Sequence, residues 1–272
     1  MSTEAVPRLF RALVDDAAMF PPGNASAAQA VREHVGHRAA WYADVVGPLL
    51  VPHARWGEFC AAHEAAGSPE IAVVLIGSID RPNRVPSGVT VTGFEVSATS
   101  GLDLADGSGS IAAELVDPEH HDRLLTRLAT AGGSGRRVVA KYRTGGTSRE
   151  AFPSEADVAK VIASAASHGV PMKFTAGLHG AVRHTDTATG FEHHGFLNVM
   201  VAVDAAQYGA GQGTLTKVLS ERDPDRVLAP VHGWSEGEVE RLREAFVSFG
   251  CCGVLDPVRA AVTLGLLTGE MS

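Results

Sequence analysis

Short apolar runs alternate with amphipathic stretches along most of the chain after Trp41, and this alternation is typical of strand–helix units that build a parallel sheet. The runs are rich in Val, Ile, Leu and Ala, as strands covered on both faces are. Eight runs are strand candidates: residues 48–52, 71–77, 89–96, 110–116, 137–143, 171–177, 226–231 and 245–252. The run at 226–231 is the weakest of the eight.

Helix start signals lie between the apolar runs. Ser154 and Ser235 are each followed three residues later by an acidic residue, which is the spacing of a capping box. Asp-Pro pairs at Asp117 and Asp256 indicate two further helix starts. The positions of these helix start signals therefore agree with repeated strand–helix units.

The N-terminal segment has a different pattern. Apolar positions at helical spacing predict a helix over residues 4–20, which Pro21 and Pro22 must end. A second helix is predicted from Ser26 toward Trp41. We therefore expect residues 1–45 to form a helical extension that packs on the rest of the chain.

The number and spacing of the strand candidates favour a TIM-type (β/α)8 barrel, with residues 1–272 as one domain. An open doubly wound sheet is the alternative, and the absence of a G-x-G-x-x-G motif after a strand weakens it. Residues 180–228 are the least regular, with a helix predicted over 196–209. We expect an insertion there.

Composition excludes some classes of partner. The chain has 272 residues and a formal net charge of −8, and it lacks the clustered Lys and Arg that nucleic-acid binding normally requires. No apolar run approaches the roughly 20 residues that span a bilayer, and the N-terminus lacks the apolar segment of a secretory signal. We therefore expect a cytoplasmic protein whose three cysteines are reduced thiols.

Two lysines interrupt apolar strand candidates. Period-two alternation places Lys141 with Arg143 and Lys173 with Thr175 on faces that we expect to point into the barrel. Like charge and desolvation would each depress a lysine pKa and free an amine that can form a Schiff base. The other interpretation is that each lysine pairs with a carboxylate, for instance Glu95 or Glu114, either of which could also face the barrel mouth.

The segment Lys141-Tyr-Arg-Thr-Gly, followed by a helix and by Lys173 in a strand that ends in glycine, resembles the paired-lysine region of class I aldolases of the deoxyribose-phosphate aldolase type. The resemblance implies a TIM barrel in which Lys141 forms the Schiff base and Lys173 lowers its pKa. It also implies that FGCCG stands where that family has a phosphate-binding loop, although the distance from Lys173 to Phe249 is long for one strand–helix step.

A second resemblance spans most of the chain. The motifs AMFPPG, KFTAGLHG, HGFLN and SFGCCG are similar to those of an uncharacterised bacterial family, to which no activity is attached. Phe20, Pro21 and Pro22 of the first motif could plug one end of the barrel or edge its site. Cys251 and Cys252 of the last motif are interpreted as small packing residues rather than nucleophiles.

Histidines supply rival chemistry. His179 and His194 each flank a glycine beside an apolar element, so either could act as an acid or base or, with a carboxylate, bind a metal. The spacing of His179, His184, His193 and His194 matches no zinc motif. The segment RTGGTS offers Arg143, hydroxyls and backbone N–H groups as an anion cradle, or is an ordinary loop.

The function that these patterns favour is aldolase-like lyase chemistry on a small anionic carbonyl compound, through Lys141 and without a cofactor. A metal-dependent lyase, isomerase or hydrolase and a non-catalytic ligand-binding barrel are the alternatives, and a homo-oligomer is compatible with each. The candidate catalytic residues are Lys141, Lys173, Glu114 and His179. The candidate substrate-binding residues are Arg143, Thr144, Gly145, Gly146, Thr175, His194, Asn198 and Glu95.

Overall fold

Eight parallel strands close into a barrel in the computed structural model, which describes residues 5–97, 109–135 and 137–269. The first seven strands are β1 (Val14–Asp16), β2 (Val46–Pro52), β3 (Ile71–Ile76), β4 (Val89–Ser97), β5 (Ser110–Glu114), β6 (Val138–Arg143) and β7 (Met172–Thr175). The short strands β8 (His184–Thr185) and β9 (Glu192–His193) form a separate antiparallel ribbon, and β10 (Phe246–Cys251) pairs with β7 and β1 to close the barrel. The predicted TIM-type barrel is confirmed.

Helices follow most of the strands. They are α1 (Ala27–Ala39), α2 (Trp56–Ala65), α3 (His121–Gly133), α4 (Glu155–Ser167), α5 (Phe196–Gln207), α6 (Gln212–Ser220), α7 (Pro224–Gly233), α8 (Glu236–Ala245) and α9 (Leu255–Thr263). Their apolar residues form the core with the outward side chains of the strands, as in the stacked pair Phe196 and Phe249, whose rings lie 5.5 Å apart. Among the helices of the described residues, none is long and apolar enough to cross a bilayer.

The predicted capping boxes are present at α4 and α8. Ser154 Oγ accepts a hydrogen bond from the backbone N–H of Asp157, and Ser235 Oγ does the same with Glu238. The helix predicted to start at Asp256 is present as α9, which begins one residue earlier, at Leu255, so that Asp256 lies inside its first turn. The Asp256 carboxylate therefore does not cap the helix, and it bonds to His179.

The helix predicted over residues 4–20 is wrong. That segment has a short 3-10 turn at Arg8–Phe10 and then β1, which pairs with β10 and β2 and is one of the eight barrel strands. A strand of three residues is too short to show a period of two. Leu9, in the 3-10 turn, and Leu13, just before β1, are both buried in the core, but no α-helix connects them. The second N-terminal helix is confirmed as α1, capped by Ser26.

The strand predicted at 226–231 is also wrong, since this run lies in α7. Asp223 caps the helix and Pro224 occupies its first turn, a position that suits proline because its missing N–H is not needed there. The count of eight strands is therefore right, but β1 takes the place of this run. Between β7 and β10 the chain adds the β8–β9 ribbon and helices α5 and α6, as the expected insertion.

Candidate active site

Lys141 and Lys173 lie side by side in the barrel interior. They are register partners on β6 and β7, and their side chains are 5% and 6% exposed. Both contact Glu95 on β4, a strand that is a neighbour of neither β6 nor β7. Contacts between non-neighbouring strands cross the barrel, so both lysines point inward, as the alternation predicts.

Glu95 is the carboxylate that joins the two lysines. Its Oε2 lies 2.9 Å from Lys141 Nζ, while its Oε1 accepts a hydrogen bond from Lys173. Burial alone would raise the pKa of Glu95, but the charges of Lys173 and Lys141 outweigh burial and lower the pKa to about 2. Glu95 is therefore ionised at neutral pH although its side chain is 2% exposed.

Asp15 is the second carboxylate partner of Lys173. It accepts hydrogen bonds from Lys173 Nζ and from Ser248 Oγ, the latter at 2.7 Å. Gly47 on β2 leaves room for it, since a Cβ there would lie 2.1 Å from Asp15 Oδ1. Because Asp15 is a residue of β1, the sequence prediction of a helix over this segment hid its place in the site.

Lys173 is held in its charged form. Burial opposes the ammonium charge, yet Asp15 and Glu95 together raise the pKa of Lys173 above its usual value. Burial also raises the pKa of Asp15, against the effect of Lys173. Lys173 has two carboxylate partners, so it keeps a charged partner in Glu95 even when Asp15 carries a proton.

Glu114 connects Lys141 to the surface. Its Oε2 lies 3.0 Å from Lys141 Nζ, and its Oε1 accepts a hydrogen bond of 3.1 Å from Nε of the half-exposed Arg143. Asp15, Glu95, Glu114, Lys141 and Lys173 are called the acid–lysine cluster below. The alternative in which the lysines pair with Glu95 and Glu114 therefore describes their contacts correctly.

A cavity of about 540 Å³ adjoins Lys141. Glu95, Glu114 and Lys141 form part of its wall, and Thr175 and Gly250 mark the ends of two strands beside it. This is the C-terminal end of the barrel strands, where the active sites of TIM-barrel enzymes lie. Its remaining polar wall includes Arg143, Gly146, Thr147, His179, His193 and Cys252.

Lys173 faces the other end of the barrel. It lines a second cavity, of about 830 Å³, together with Asp15 and residues near the N-terminal ends of the strands, such as Val138 and Pro171. Glu95 lines both cavities. Conserved chemistry in barrel enzymes occurs at the C-terminal face, so the cavity beside Lys141 is the candidate active site.

A second group of chemically active side chains is centred on His179, which lines this cavity. Its Nδ1 lies 2.8 Å from Asp256 Oδ2, and its Nε2 lies 3.7 Å from Cys252 Sγ. Cys251 Sγ is 3.5 Å from Nδ1 of the same ring. Asp256, together with the two cysteines, raises the pKa of His179 to about 12, so the ring is an imidazolium at neutral pH.

Four predicted substrate-binding residues lie away from the cavity wall, with their groups engaged elsewhere. Thr144 Oγ1 donates to the carbonyl of Ala176, and the Asn198 side-chain amide donates to two backbone carbonyls, one in the last turn of α6 and one directly after it. His194 is buried and bonds to the carbonyl of Pro153. Gly145 packs against Gly177 so closely that a Cβ on Gly145 would lie 2.8 Å from the Gly177 Cα.

The paired metal ligands proposed for His179 and His194 are not brought together. His179 bonds to Asp256 beside the last strand, whereas His194 bonds to Pro153 and to Arg183. Residues 5–97, 109–135 and 137–269 contain no group of three or more His, Cys, Asp or Glu side chains placed to hold a metal ion. The two histidines named for the metal-dependent alternative are therefore not part of such a group in the described part of the chain.

Asp15, Ser248, Asp256 and the contact of His179 with Cys252 were not predicted. The sequence carries one signal for Asp15, namely a pair of acidic residues directly after the apolar Leu13 and Val14. Cys252 lies 73 positions from His179, and closure of the barrel brings them together. The prediction that Phe20, Pro21 and Pro22 edge the site agrees with their position on the cavity wall.

Comparison with family models, curated proteins and solved structures finds no match for the chain. The fold and the site by themselves define a β/α barrel whose acid–lysine cluster meets a cavity at the C-terminal ends of its strands. This fold is commonly that of an enzyme. The chemistry of the cavity wall is therefore the basis for assigning a reaction.

Proposed function

We propose that this protein is a Schiff-base lyase, in which Lys141 attacks the carbonyl carbon of a small anionic compound and a carbon–carbon bond is then reversibly cleaved. One observation carries the proposal: Lys141 borders the cavity at the catalytic end of the barrel, whereas its partner Lys173 faces the opposite end. A purely structural ion-pair cluster needs no cavity beside the lysine. The resemblance to class I aldolases supports the same roles for the two lysines.

The carboxylates beside Lys141 account for the proton that the amine must lose. Glu114 lies 3.0 Å from Lys141 Nζ and, through Arg143, borders solvent, so it can accept this proton and pass it on. Burial raises the pKa of Asp15, so once Asp15 and Glu114 both carry protons, the charges of Glu95 and Lys173 balance each other. The neutral amine is the nucleophilic form.

The covalent steps require acid–base help at two points. The Lys141 nitrogen forms a bond to the carbonyl carbon as the carbonyl π bond breaks, the oxygen takes up one proton from the nitrogen and one from an acid, and water then leaves to give the protonated imine. The imine draws electrons from the bond to be cleaved, and a base removes the proton from the hydroxyl of the departing aldehyde. Glu114 is the group placed to accept the proton of Lys141. His179 is the acid–base candidate for the other transfers: as an imidazolium it gives a proton to the carbonyl oxygen, and the neutral ring that results can then take the hydroxyl proton.

Lys173 has a positioning role in this scheme. Because Asp15 and Glu95 hold it charged, it balances the negative charge of Glu95, which also contacts Lys141. We assign to it the role that the resemblance to class I aldolases implies for the second lysine.

The anionic part of the substrate is assigned to the end of the cavity beside Arg143. Arg143 is half exposed and keeps donors beyond those it gives to Glu114, and the backbone of Gly146 and Thr147 lines the same wall. A guanidinium with nearby backbone N–H groups suits a carboxylate or a phosphate.

Borohydride trapping tests the proposal. The protein is incubated with acetaldehyde, pyruvate or a phosphorylated ketone, reduced, digested with trypsin and analysed by mass spectrometry. The chain has four lysines, Lys141, Lys160, Lys173 and Lys217, so the modified residue is identified without ambiguity. We expect an adduct on Lys141, seen as a peptide in which trypsin no longer cleaves after this residue.

Two variants control the trapping. Lys141→Met should abolish the adduct, whereas Lys160→Met, which changes an exposed lysine on α4, should leave it intact. Equal labelling of all lysines, or no adduct on Lys141 with any carbonyl, would contradict the proposal and favour a non-catalytic ligand-binding barrel. Circular dichroism of each variant shows whether the fold is retained.

A further inference from the structure

Cys252, His179 and Asp256 form a chain of contacts that ends at the cavity. Asp256 Oδ2 lies 2.8 Å from His179 Nδ1, and the other ring nitrogen lies 3.7 Å from Cys252 Sγ. A sulfur beside a ring nitrogen, with a carboxylate on the other nitrogen, is the arrangement that activates a thiol as a nucleophile. His179 and Cys252 both line the cavity beside Lys141.

The neighbouring cysteine has a different environment. Cys251 is 2% exposed, its Sγ donates to the carbonyl of Gly253 at 3.3 Å, and burial raises the pKa of its thiol. Cys252 is half-buried and reaches the cavity. Cys252 is therefore the cysteine of this pair that a small molecule in the cavity can meet.

We propose that Cys252 is a second nucleophile of this cavity and that, with His179 as its acid–base partner, it captures an aldehyde as a reversible thiohemiacetal. The sulfur forms a bond to the carbonyl carbon while the π bond of the carbonyl breaks. His179 gives its Nε2 proton to the carbonyl oxygen and takes up the proton that the thiol loses. The adduct therefore contains every atom of the thiol and the aldehyde, and no oxidant or reductant is needed.

The inference deepens the proposed function, on which it rests for the choice of an aldehyde as ligand. A carbon–carbon lyase of this type releases or accepts an aldehyde, and a thiol at the cavity wall would hold that aldehyde apart from the carbonyl on Lys141. The reactivity of Cys252 itself does not depend on Lys141. The two proposals therefore fail separately.

Alkylation by iodoacetamide tests whether His179 activates Cys252. Modification of each cysteine is followed by mass spectrometry at about pH 7. We expect Cys252 to react at least about tenfold faster than Cys60, whose thiol pKa is raised by burial. His179→Asn should slow the alkylation of Cys252 by at least about tenfold and leave that of Cys60 unchanged.

An alkylation rate of Cys252 no higher than that of Cys60 would overturn the activation of Cys252, and so would an unchanged rate in His179→Asn. Cys252→Ser identifies the peptide signal, which also contains Cys251.

Protection by an aldehyde tests the covalent capture. In the Lys141→Met variant, which cannot form a Schiff base at that position, propanal should slow the alkylation of Cys252 by at least about tenfold and dilution should restore the rate. Propan-1-ol, which has the same number of carbon atoms but no carbonyl, should have no effect. Equal protection by the two compounds, or by neither, would overturn the capture, whatever borohydride trapping shows for Lys141.

Discussion

Glu95→Gln is the substitution that most directly tests the acid–lysine cluster. The amide keeps the shape of the side chain but removes the negative charge that Lys141 and Lys173 share. Glu95 has a pKa of about 2 in the folded protein against 4.5 ordinarily, and each pKa unit corresponds to about 1.4 kcal/mol. The ionised carboxylate therefore contributes about 3 kcal/mol to the free energy of unfolding.

The pH dependence has a defined sign. Because folding lowers the pKa of Glu95, its contribution is present in full above about pH 4.5 and is lost as the pH falls toward about 2. The wild type should exceed Glu95→Gln by about 3 kcal/mol at neutral pH, and the difference should shrink below about pH 4. Urea unfolding followed by circular dichroism at several pH values measures both quantities.

Glu58→Gln is the matched control, because Glu58 forms a 3.0 Å ion pair with Arg55 but is 60% exposed. Exposed pairs contribute no more than about 1 kcal/mol, so this variant should stay close to the wild type. A Glu95→Gln protein as stable as Glu58→Gln at neutral pH would refute the idea that the charge of Glu95 stabilises the two buried lysines in the folded protein.

Two further predictions concern the cavity wall and its support. Asp256→Asn should lower the pKa of His179 from about 12 toward its ordinary range, because the hydrogen bond to Asp256 is the largest cause of the raised pKa. NMR titration of the imidazole measures this pKa, and an unchanged value in the variant would contradict the prediction. Gly145→Ala should lower the free energy of unfolding by about 1–3 kcal/mol, because its Cβ would lie 2.8 Å from the Gly177 Cα. Gly36→Ala, where α1 leaves open space, is the control and should be neutral or stabilising by up to about 1 kcal/mol.

Local features of the chain were predictable because they depend on neighbours in sequence. Alternation along β6 and β7 placed Lys141 and Lys173 inward, and the Ser-x-x-acid spacing located the starts of α4 and α8. The errors are also local in origin. Three residues of β1 are too few to show a period, and the apolar run at 226–231 suits a strand as well as a helix until Asp223 and Pro224 are taken into account.

The sequence by itself determined the barrel class, most of its strands and the inward direction of the two lysines, since strand alternation and helix capping act over a few residues. Only the tertiary structure decided what surrounds those lysines. Asp15 and Lys173 are 158 positions apart, and they meet because β10 pairs with both β1 and β7. The same closure brings Cys252 to His179, so the groups that meet at the cavity depend on contacts across the barrel that no local pattern encodes.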